Sequence, residues 1–376
     1  MKILIAGDYC PRYRVEPILD SGNYSTVFGE VKPIVSKADY SIVNFECPVI
    51  AGEETPIPKC GPNLKCNDNA VKALAYAGFK CVTLANNHFL DQGENGVNDT
   101  LRVLTENGIE SVGGGKNLKQ ASQILYKKID NKILAVINCC ENEFSIATDN
   151  TAGSNPLNPI QQYYAIKEAR NKSDYVLVIV HGGHEHIQLP SLRMVETYRF
   201  FIEAGADALV NHHQHCYGGY EVYKGKLIFY GLGNLCFDSV PVSYDDLWNY
   251  GYMVSIDFND NITFEMFPYL QCAQEPCVKV LDKNIFEQNL HRLNSVISDT
   301  NELRKVLEEQ YEKKINMYKS IFEPFQNKYY LELVRRGWIP SSFTKTKRLM
   351  ASNFILCESH RDILKWWLEK SYENKT

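Results

Sequence analysis

Short apolar runs that end in metal-ligating side chains recur along the first 240 residues. One such run, residues 82–85, leads directly into Asn86, Asn87 and His88. Apolar, β-favouring runs of this length predict buried strands, and the glycines behind them predict turns. Four further runs end in the same way, at Asp8, at Glu46, at His181 and at the pair His212 and His213. The five strand ends together predict one metal site at one edge of a sheet.

Helical stretches alternate with these runs, which predicts βα units and an α/β fold. Residues 69–78, for example, predict a helix that ends at Gly78. From about residue 280 the pattern changes to helical spacing, over 286–325 and again over 354–372. We therefore divide the chain into a domain at 1–275 and a helical C-terminal appendage at 280–376, which we expect to carry no chemistry of its own.

The composition narrows the class of protein. The chain has 376 residues, a net charge of -5 and twelve cysteines. It has no cluster of basic residues of the kind that binds nucleic acid, and no apolar run as long as a membrane span. The opening residues predict a first strand rather than a signal peptide. We expect a cytoplasmic protein with reduced thiols, in which Cys60 and Cys66 are the two that could pair in an oxidising setting.

The histidines are strongly clustered. Seven of the nine lie in three groups, around residue 88, at 181–186 and at 212–215. Each group has an ordinary alternative, such as a helix cap at Asn86 and Asn87. Histidines that serve only packing would be scattered, however, so this distribution favours a metal site.

The donor set indicates the kind of metal site. Oxygen and nitrogen ligands of this kind suit Mn²⁺, Fe²⁺ or Zn²⁺. Six protein ligands are too many for one open catalytic ion, whereas two ions roughly 3.5–4 Å apart fit them, with Glu46 as the shared ligand. His88, grouped with Asp91 as the catalytic pair, would protonate a leaving group. The predicted ligands are Asp8, Glu46, Asn87, His181, His213 and His215.

Residues 2–240 resemble the CapA family, which is named for a poly-γ-glutamate capsule synthesis protein and is similar to calcineurin-like metallophosphoesterases. The resemblance implies a four-layer α/β/β/α metallophosphoesterase-like sandwich. The matching motifs are Gly7-Asp8, Asn44-Phe-Glu46-Cys-Pro48, Ala85-Asn-Asn-His88-x-x-Asp91-x-Gly93-x-x-Gly96, His181-Gly-Gly-x-Glu185, His212-His213-x-His215 and Tyr230-Gly-Leu-Gly-Asn234.

The chain departs from the family pattern at several positions. Other metallophosphoesterases have Asp-x-His in the first motif, where this chain has Cys10, so one ion there loses a ligand or gains a thiolate. Gly182 and His186 replace an aromatic pair around the fourth motif, and Asn211 and Gln214 replace a glycine and a proline. These changes bear on the choice of ion and on the shape of the substrate site.

Two functions follow from the resemblance. One is a dinuclear hydrolase for a phosphoester or a γ-glutamyl-type amide, linked to capsule or surface-polymer synthesis. The other is a non-catalytic protein that binds an anionic polymer during assembly, with a protein partner on the C-terminal helices. The loops at 49–66 and 143–160 are expected to shape the pocket. The predicted substrate-binding residues are Arg12, Arg14, Asn86, His184, Glu185, His186 and Asn234.

For two sets of these residues an ordinary role stays open. Arg12 and Arg14 could be surface charges, and His184 and His186 could be solvated loop residues. The sequence does not identify the physiological substrate or the oligomeric state.

Overall fold

The computed structural model describes residues 1–241, 246–322, 328–340 and 343–373. Its strands, in chain order, are β1 (Lys2–Tyr9), β2 (Tyr40–Phe45), β3 (Cys81–Thr83), β4 (Glu110–Val112), β5 (Gly114–Gly115), β6 (Leu125–Ile129), β7 (Lys132–Cys140), β8 (Gly153–Ser154), β9 (Tyr175–His181), β10 (Ala208–His212), β11 (Tyr220–Tyr223), β12 (Lys226–Phe229), β13 (Asn234–Cys236), β14 (Tyr250–Asp257), β15 (Thr263–Gln271) and β16 (Val278–Val280).

The helices follow the strands in alternation up to α8 and then dominate the C-terminal part. They are α1 (Glu16–Asp20), α2 (Tyr24–Phe28), α3 (Lys32–Val35), α4 (Asp68–Ala77), α5 (Gly93–Glu106), α6 (Leu118–Ala121), α7 (Pro159–Lys172), α8 (Leu192–Ala204), α9 (Glu287–Ser298), α10 (Thr300–Phe322), α11 (Lys328–Arg335), α12 (Lys345–Leu356) and α13 (Glu358–Glu373), with a short 3-10 helix at Leu247–Asn249. The predicted end of α4 is confirmed, because Gly78 adopts a left-handed conformation with φ 99°.

Two sheets form the centre of the molecule. The larger sheet has the order β16-β15-β14-β1-β2-β3-β4, and β13 pairs with the end of β1. Within it, β1 to β4 run parallel. The smaller sheet has the order β11-β12-β10-β9-β7-β6, and its strands β12, β10, β9 and β7 are parallel. Each sheet therefore gathers the carboxyl ends of several parallel strands at one edge.

Alternate side chains of β1 show how the layers are stacked. Ile3 and Ile5 belong to the core that includes the smaller sheet, whereas Leu4 and Ala6 belong to the core under α1 to α5. This alternation follows from the two-residue period of a strand. Helices α7 and α8 cover the far side of the smaller sheet through residues such as Ile166. The predicted four-layer α/β/β/α order is thus confirmed.

The C-terminal helices extend the core of the smaller sheet. Leu293 on α9, Leu307 on α10 and Ile363 on α13 are buried in the same hydrophobic cluster as that sheet. The predicted helix over 286–325 is two helices, and its residues 323–325 lie outside the described part of the chain. The predicted helix over 354–372 is also broken, at Cys357. The division of the chain at 275–280 stays a prediction.

Two expectations about the environment of the chain can be compared with the structure. Among the described residues, none of the helices combines the length and the apolar character needed to cross a membrane. The twelve cysteines, including Cys60 and Cys66, are free thiols. Localisation in the cytoplasm stays a prediction.

Candidate metal centre

The carboxyl edges of the two sheets meet, and the predicted ligands lie where they meet. Asn44 joins the two sheets, because its Nδ2 lies 2.7 Å from Asp8 Oδ1 and 3.2 Å from His181 Nδ1. The backbone N–H of His213 donates to Asp8 Oδ2 at 3.2 Å. The expectation of a site at the edge of one sheet is therefore corrected. The larger sheet supplies Asp8, Glu46 and Asn87, and the smaller sheet supplies His181, His213 and His215. We call these six residues the floor.

A first group of ligand atoms surrounds His181. Its Nε2 lies 3.0 Å from Asn87 Oδ1 and 3.0 Å from His213 Nδ1. The same nitrogen is 3.5 Å from Glu46 Oε1. Four ligand atoms thus converge around one point, an arrangement that suits a cation.

A second group shares Glu46 with the first. His215 Nε2 lies 3.7 Å from Glu46 Oε1, and His215 Nδ1 lies 3.5 Å from Asp8 Oδ2. Nδ1 of His215 is also 2.9 Å from Asn234 Oδ1, which orients the ring and directs Nε2 to the centre. Asn234 was predicted to bind substrate, but in the structure it positions a ligand.

Glu46 provides the test of whether the residues fit a metal ion. Its carboxylate is fully buried, and neither oxygen has a hydrogen-bond partner. Burial raises the pKa of Glu46, and the neighbouring Asp8 raises it further. A buried carboxylate with no donor is costly unless a cation balances it. The donor set therefore fits divalent cations.

Two of the floor histidines have an unusual backbone. His213 has φ 94° and His215 has φ 55°, in the left-handed region that non-glycine residues rarely adopt. Such conformations persist where the surrounding structure fixes them, and they are concentrated at functional sites. Here the turn places the rings of His213 and His215, which are two residues apart in the chain, at the same centre.

The predicted catalytic pair is present and has a third member. His88 Nδ1 lies 2.6 Å from Asp91 Oδ2. The buried ammonium of Lys59, which the sequence did not single out, lies 2.5 Å from Asp91 Oδ1 and 3.2 Å from His88 Nδ1. Burial lowers the pKa of His88, and the charge of Lys59 lowers it further, against the opposing effect of Asp91.

Two residues that were predicted to bind substrate have structural roles instead. The Arg14 guanidinium is paired with Asp238 at 2.6 Å and also donates to backbone carbonyls, among them that of Cys272. Asn86 is fully buried, donates to the carbonyl of Phe45 and accepts from the N–H of His88. Both expectations are therefore corrected, because these side chains are held by the protein itself.

The remaining predicted substrate residues lie around the centre. Arg12 stacks on the ring of Tyr13 at the surface, 4.5 Å from its centroid. His184 is buried, with Nε2 3.0 Å from the Tyr311 hydroxyl on α10. Glu185 is exposed beside the floor histidines, and the exposed ring of His186 lies 5.7 Å from that of Trp248. Direct contact with a substrate stays a prediction for these four.

A cavity of about 520 Å³ opens above the floor. The predicted pocket loops contribute Lys59 to Pro62 and also Glu143 and Phe144. The C-terminal helices, which were expected to carry no chemistry of their own, close the opposite side. We call this side the wall, and its residues are Lys314, Tyr318, Phe354, Cys357, Ser359 and His360.

Sequence reasoning also missed Glu143. It accepts from Asn87 Nδ2 at 3.1 Å, and its Oε1 lies 4.0 Å from His213 Nε2. Glu143 lies three positions after the end of β7 at Cys140, so it carried the same strand-end signal as the floor residues.

Cys10 does not take the place of the missing histidine ligand. It is fully buried in the core between the larger sheet and its helices. Burial raises the pKa of its thiol, and contact with Cys47 raises it further. Within the described ranges, none of the clusters of metal-ligating atoms includes Cys10. The floor therefore gains no thiolate at this position.

The fold and the floor together define an α/β/β/α protein with a buried histidine and carboxylate centre that fits divalent cations. Residues 2–239 match the model of the bacterial capsule synthesis protein family PGA_cap, and the chain belongs to that family.

Two relatives with curated names are similar to this chain. A capsule biosynthesis protein CapA of Bacillus anthracis is 31% identical over 296 residues, which cover 76% of this chain and 71% of the relative. A PGA biosynthesis protein CapA of Bacillus subtilis (strain 168) is 33% identical over 235 residues, and these cover 62% of each protein.

Solved structures give weaker matches. A novel phosphatase from Mycoplasma pneumoniae aligns with a TM-score of 0.46 and 14% identity, over 73% of this chain and 95% of that one. A putative 5′-nucleotidase from Staphylococcus aureus aligns with a TM-score of 0.45 and 15% identity, over 78% of this chain and 58% of that one. These scores are too low to carry an argument about function.

Proposed function

We propose that this protein is a dinuclear metal-dependent hydrolase that acts on a phosphoester or a γ-glutamyl-type amide during synthesis of a capsule or surface polymer. The observation that carries the proposal is Glu46, a buried carboxylate without a hydrogen-bond partner that belongs to two groups of ligand atoms. The names of the relatives, which refer to capsule and PGA biosynthesis, support the biological setting.

The floor residues would hold two ions, Mn²⁺, Fe²⁺ or Zn²⁺, with Glu46 shared between them. When bound, such a pair makes water nucleophilic at neutral pH and stabilises the charge that develops on the substrate oxygens. Asp8 and His215 would serve one ion, and His181, His213 and Asn87 the other.

We assign proton transfer to His88. Asp91 holds the ring at Nδ1, so the opposite nitrogen, Nε2, is the atom that exchanges a proton with the leaving group. Lys59 balances the charge of Asp91 and keeps that carboxylate in place. His88 lines the cavity, where a bound substrate would meet it.

Positive charge around the cavity supports an anionic substrate. Lys313 and Lys314 line it, whereas the charge of Lys59 is already balanced by Asp91. A phosphoester or a chain of carboxylates presents the complementary charge.

The proposal is tested by metal content and turnover on one preparation. Protein purified without chelator and supplied with Mn²⁺, Fe²⁺ and Zn²⁺ should contain two ions on the floor and should hydrolyse an aryl phosphate or a γ-glutamyl amide. His88→Ala should keep the ions and lose turnover. His291→Ala, which changes an exposed histidine on α9, is the matched control and should retain both.

The other outcomes separate the alternatives. Bound ions without turnover on either substrate would favour the non-catalytic role in polymer assembly. A floor without ions would contradict the proposal.

A further inference from the structure

Three metal-ligating side chains come together where the wall meets the floor. Glu143 follows β7, whereas Cys357 and His360 stand at the start of α13. Their ligand atoms all lie within 4.8 Å of one another. Cys357 Sγ is 3.5 Å from Glu143 Oε1. Ligands in a tetrahedral zinc site lie about 3.3–3.8 Å apart, since the metal–ligand distances are about 2.0–2.3 Å.

Neighbouring groups already orient two of these ligands. His360 Nδ1 lies 2.8 Å from the Tyr318 hydroxyl, which leaves Nε2 for a cation. Glu143 Oε2 accepts from the amide of Asn87 at 3.1 Å, which leaves Oε1 facing Cys357. Protein metal sites characteristically hold their ligands through such outer hydrogen bonds.

The charges around Cys357 favour a cation over a reactive thiolate. The side chain is 1% exposed and lies beside Glu143 and Glu141, with Sγ 3.9 Å from Glu141 Oε2. Two carboxylates beside a buried thiol attract a divalent cation, and such a cation deprotonates a coordinating thiol.

We propose that Glu143, Cys357 and His360 form a third cation site, suited to Zn²⁺, beside the floor and distinct from it. Two of the three ligands lie outside residues 2–239, so the site belongs to the C-terminal part of this chain rather than to the family motifs. Glu143, Cys357 and His360 all line the cavity, which leaves the fourth position for water or a substrate oxygen.

Cobalt provides a direct test, because Co²⁺ bound to a thiolate has a charge-transfer absorption band that nitrogen and oxygen ligands do not produce. Metal-free full-length protein titrated with Co²⁺ should develop this band. Cys357→Ser should lose the band and one ion per chain, and His360→Ala should lose the same ion. Cys60→Ser changes another thiol that lines the cavity and should leave the band unchanged. A band that survives in Cys357→Ser, or that is lost in Cys60→Ser, would overturn the proposal.

A second measurement covers the case in which Cys357→Ser does not fold. X-ray absorption at the zinc edge of Glu46→Gln protein, which should have lost the floor ions, should show one sulfur neighbour at about 2.3 Å for the zinc that remains. A shell of nitrogen and oxygen alone would rule the site out. The third site should be independent of the floor. In the cobalt titration, Glu46→Gln should therefore remove the floor ions and retain the cobalt–thiolate band.

Discussion

The floor and the wall of the cavity face the same space but are built differently. Floor ligands stand at the ends of parallel strands, so the hydrogen-bond ladders of two sheets fix them. Wall residues belong to the C-terminal helical part and follow the last floor ligand, His215, by 99 positions at Lys314 and 145 at His360. Positions on the floor depend on the central sheets, whereas positions on the wall depend on how α13 docks.

Besides the packing of Ile363 in the core of the smaller sheet, α13 is held by polar contacts with one short segment after β7. Glu141 accepts from the N–H and hydroxyl of Ser359, at 3.1 and 2.6 Å, and from Arg193 at 2.6 Å. Asn142 donates to Glu358 from its backbone N–H and from Nδ2. The residues directly after β7 therefore hold the wall in place, and the next residue, Glu143, contacts the floor. Four substitutions, two that affect the floor and two that affect the wall, test this contrast.

Removing the shared floor ligand should have the largest effect. Glu46→Gln keeps the volume but removes the charge, so we expect both floor ions to be lost. Loss of an outer hydrogen bond already lowers metal affinity about 10–100-fold, and loss of a shared ligand costs more. Elemental analysis measures this result. Glu94→Gln, at an exposed carboxylate on α5, should retain both ions, and two floor ions in Glu46→Gln would disprove the shared role of Glu46.

Glu141→Ala should destabilise the protein by detaching the wall. It leaves the Arg193 guanidinium with Asp362 as its remaining carboxylate and removes the acceptor of Ser359. Breaking a buried ion pair lowers the free energy of unfolding by about 3 kcal/mol. Urea unfolding measures this free energy. Glu196→Ala, an exposed change on the same helix as Arg193, should cost less than about 0.5 kcal/mol. Equal effects of the two changes would contradict the docking role.

Asn234→Ala tests how the floor is oriented. It removes the partner of His215 Nδ1 but no ligand, so the affinity for the ion should fall about 10–100-fold. Competition with a metal indicator dye measures the affinity. At saturating metal the ion count should equal that of the wild type. An unchanged affinity would show that the ring needs no such support.

Lys314→Ala should have the smallest effect. It removes one positive charge from the wall, where Nζ donates to the carbonyl of Glu185. We expect KM for an anionic substrate to rise a few-fold, about 1 kcal/mol, with kcat unchanged. Steady-state kinetics separates the two parameters. Lys365→Ala, on the solvent side of α13, is the control, and a fall in kcat alone would contradict a role in binding.

The contrast also explains which parts could be predicted from sequence. Asp8, Glu46 and His181 each follow an apolar run, and parallel strands bring their carboxyl ends to one edge. The layer order follows from the same alternation. What the pattern does not contain is the partner of each side chain: Arg14 precedes Asp238 by 224 positions, and its ion pair depends on the whole fold.

The wall was missed for a local reason. Residues 354–372 have continuous helical spacing without a glycine or proline, which predicts one helix. The backbone nevertheless leaves the helix at Cys357, where ψ is 128°. This break turns Cys357, Ser359 and His360 toward the cavity. No sequence signal marks it, because the contacts with Glu141 and Asn142 hold it in place.

The position of the wall in the chain affects how the protein is synthesised. Every floor ligand has been made by residue 215, whereas His360 is made 145 residues later. Domains fold from the N-terminus during translation. The nascent chain thus passes through a stage at which the floor ligands are present without the wall, and the addition of α13 then narrows the entrance to the floor.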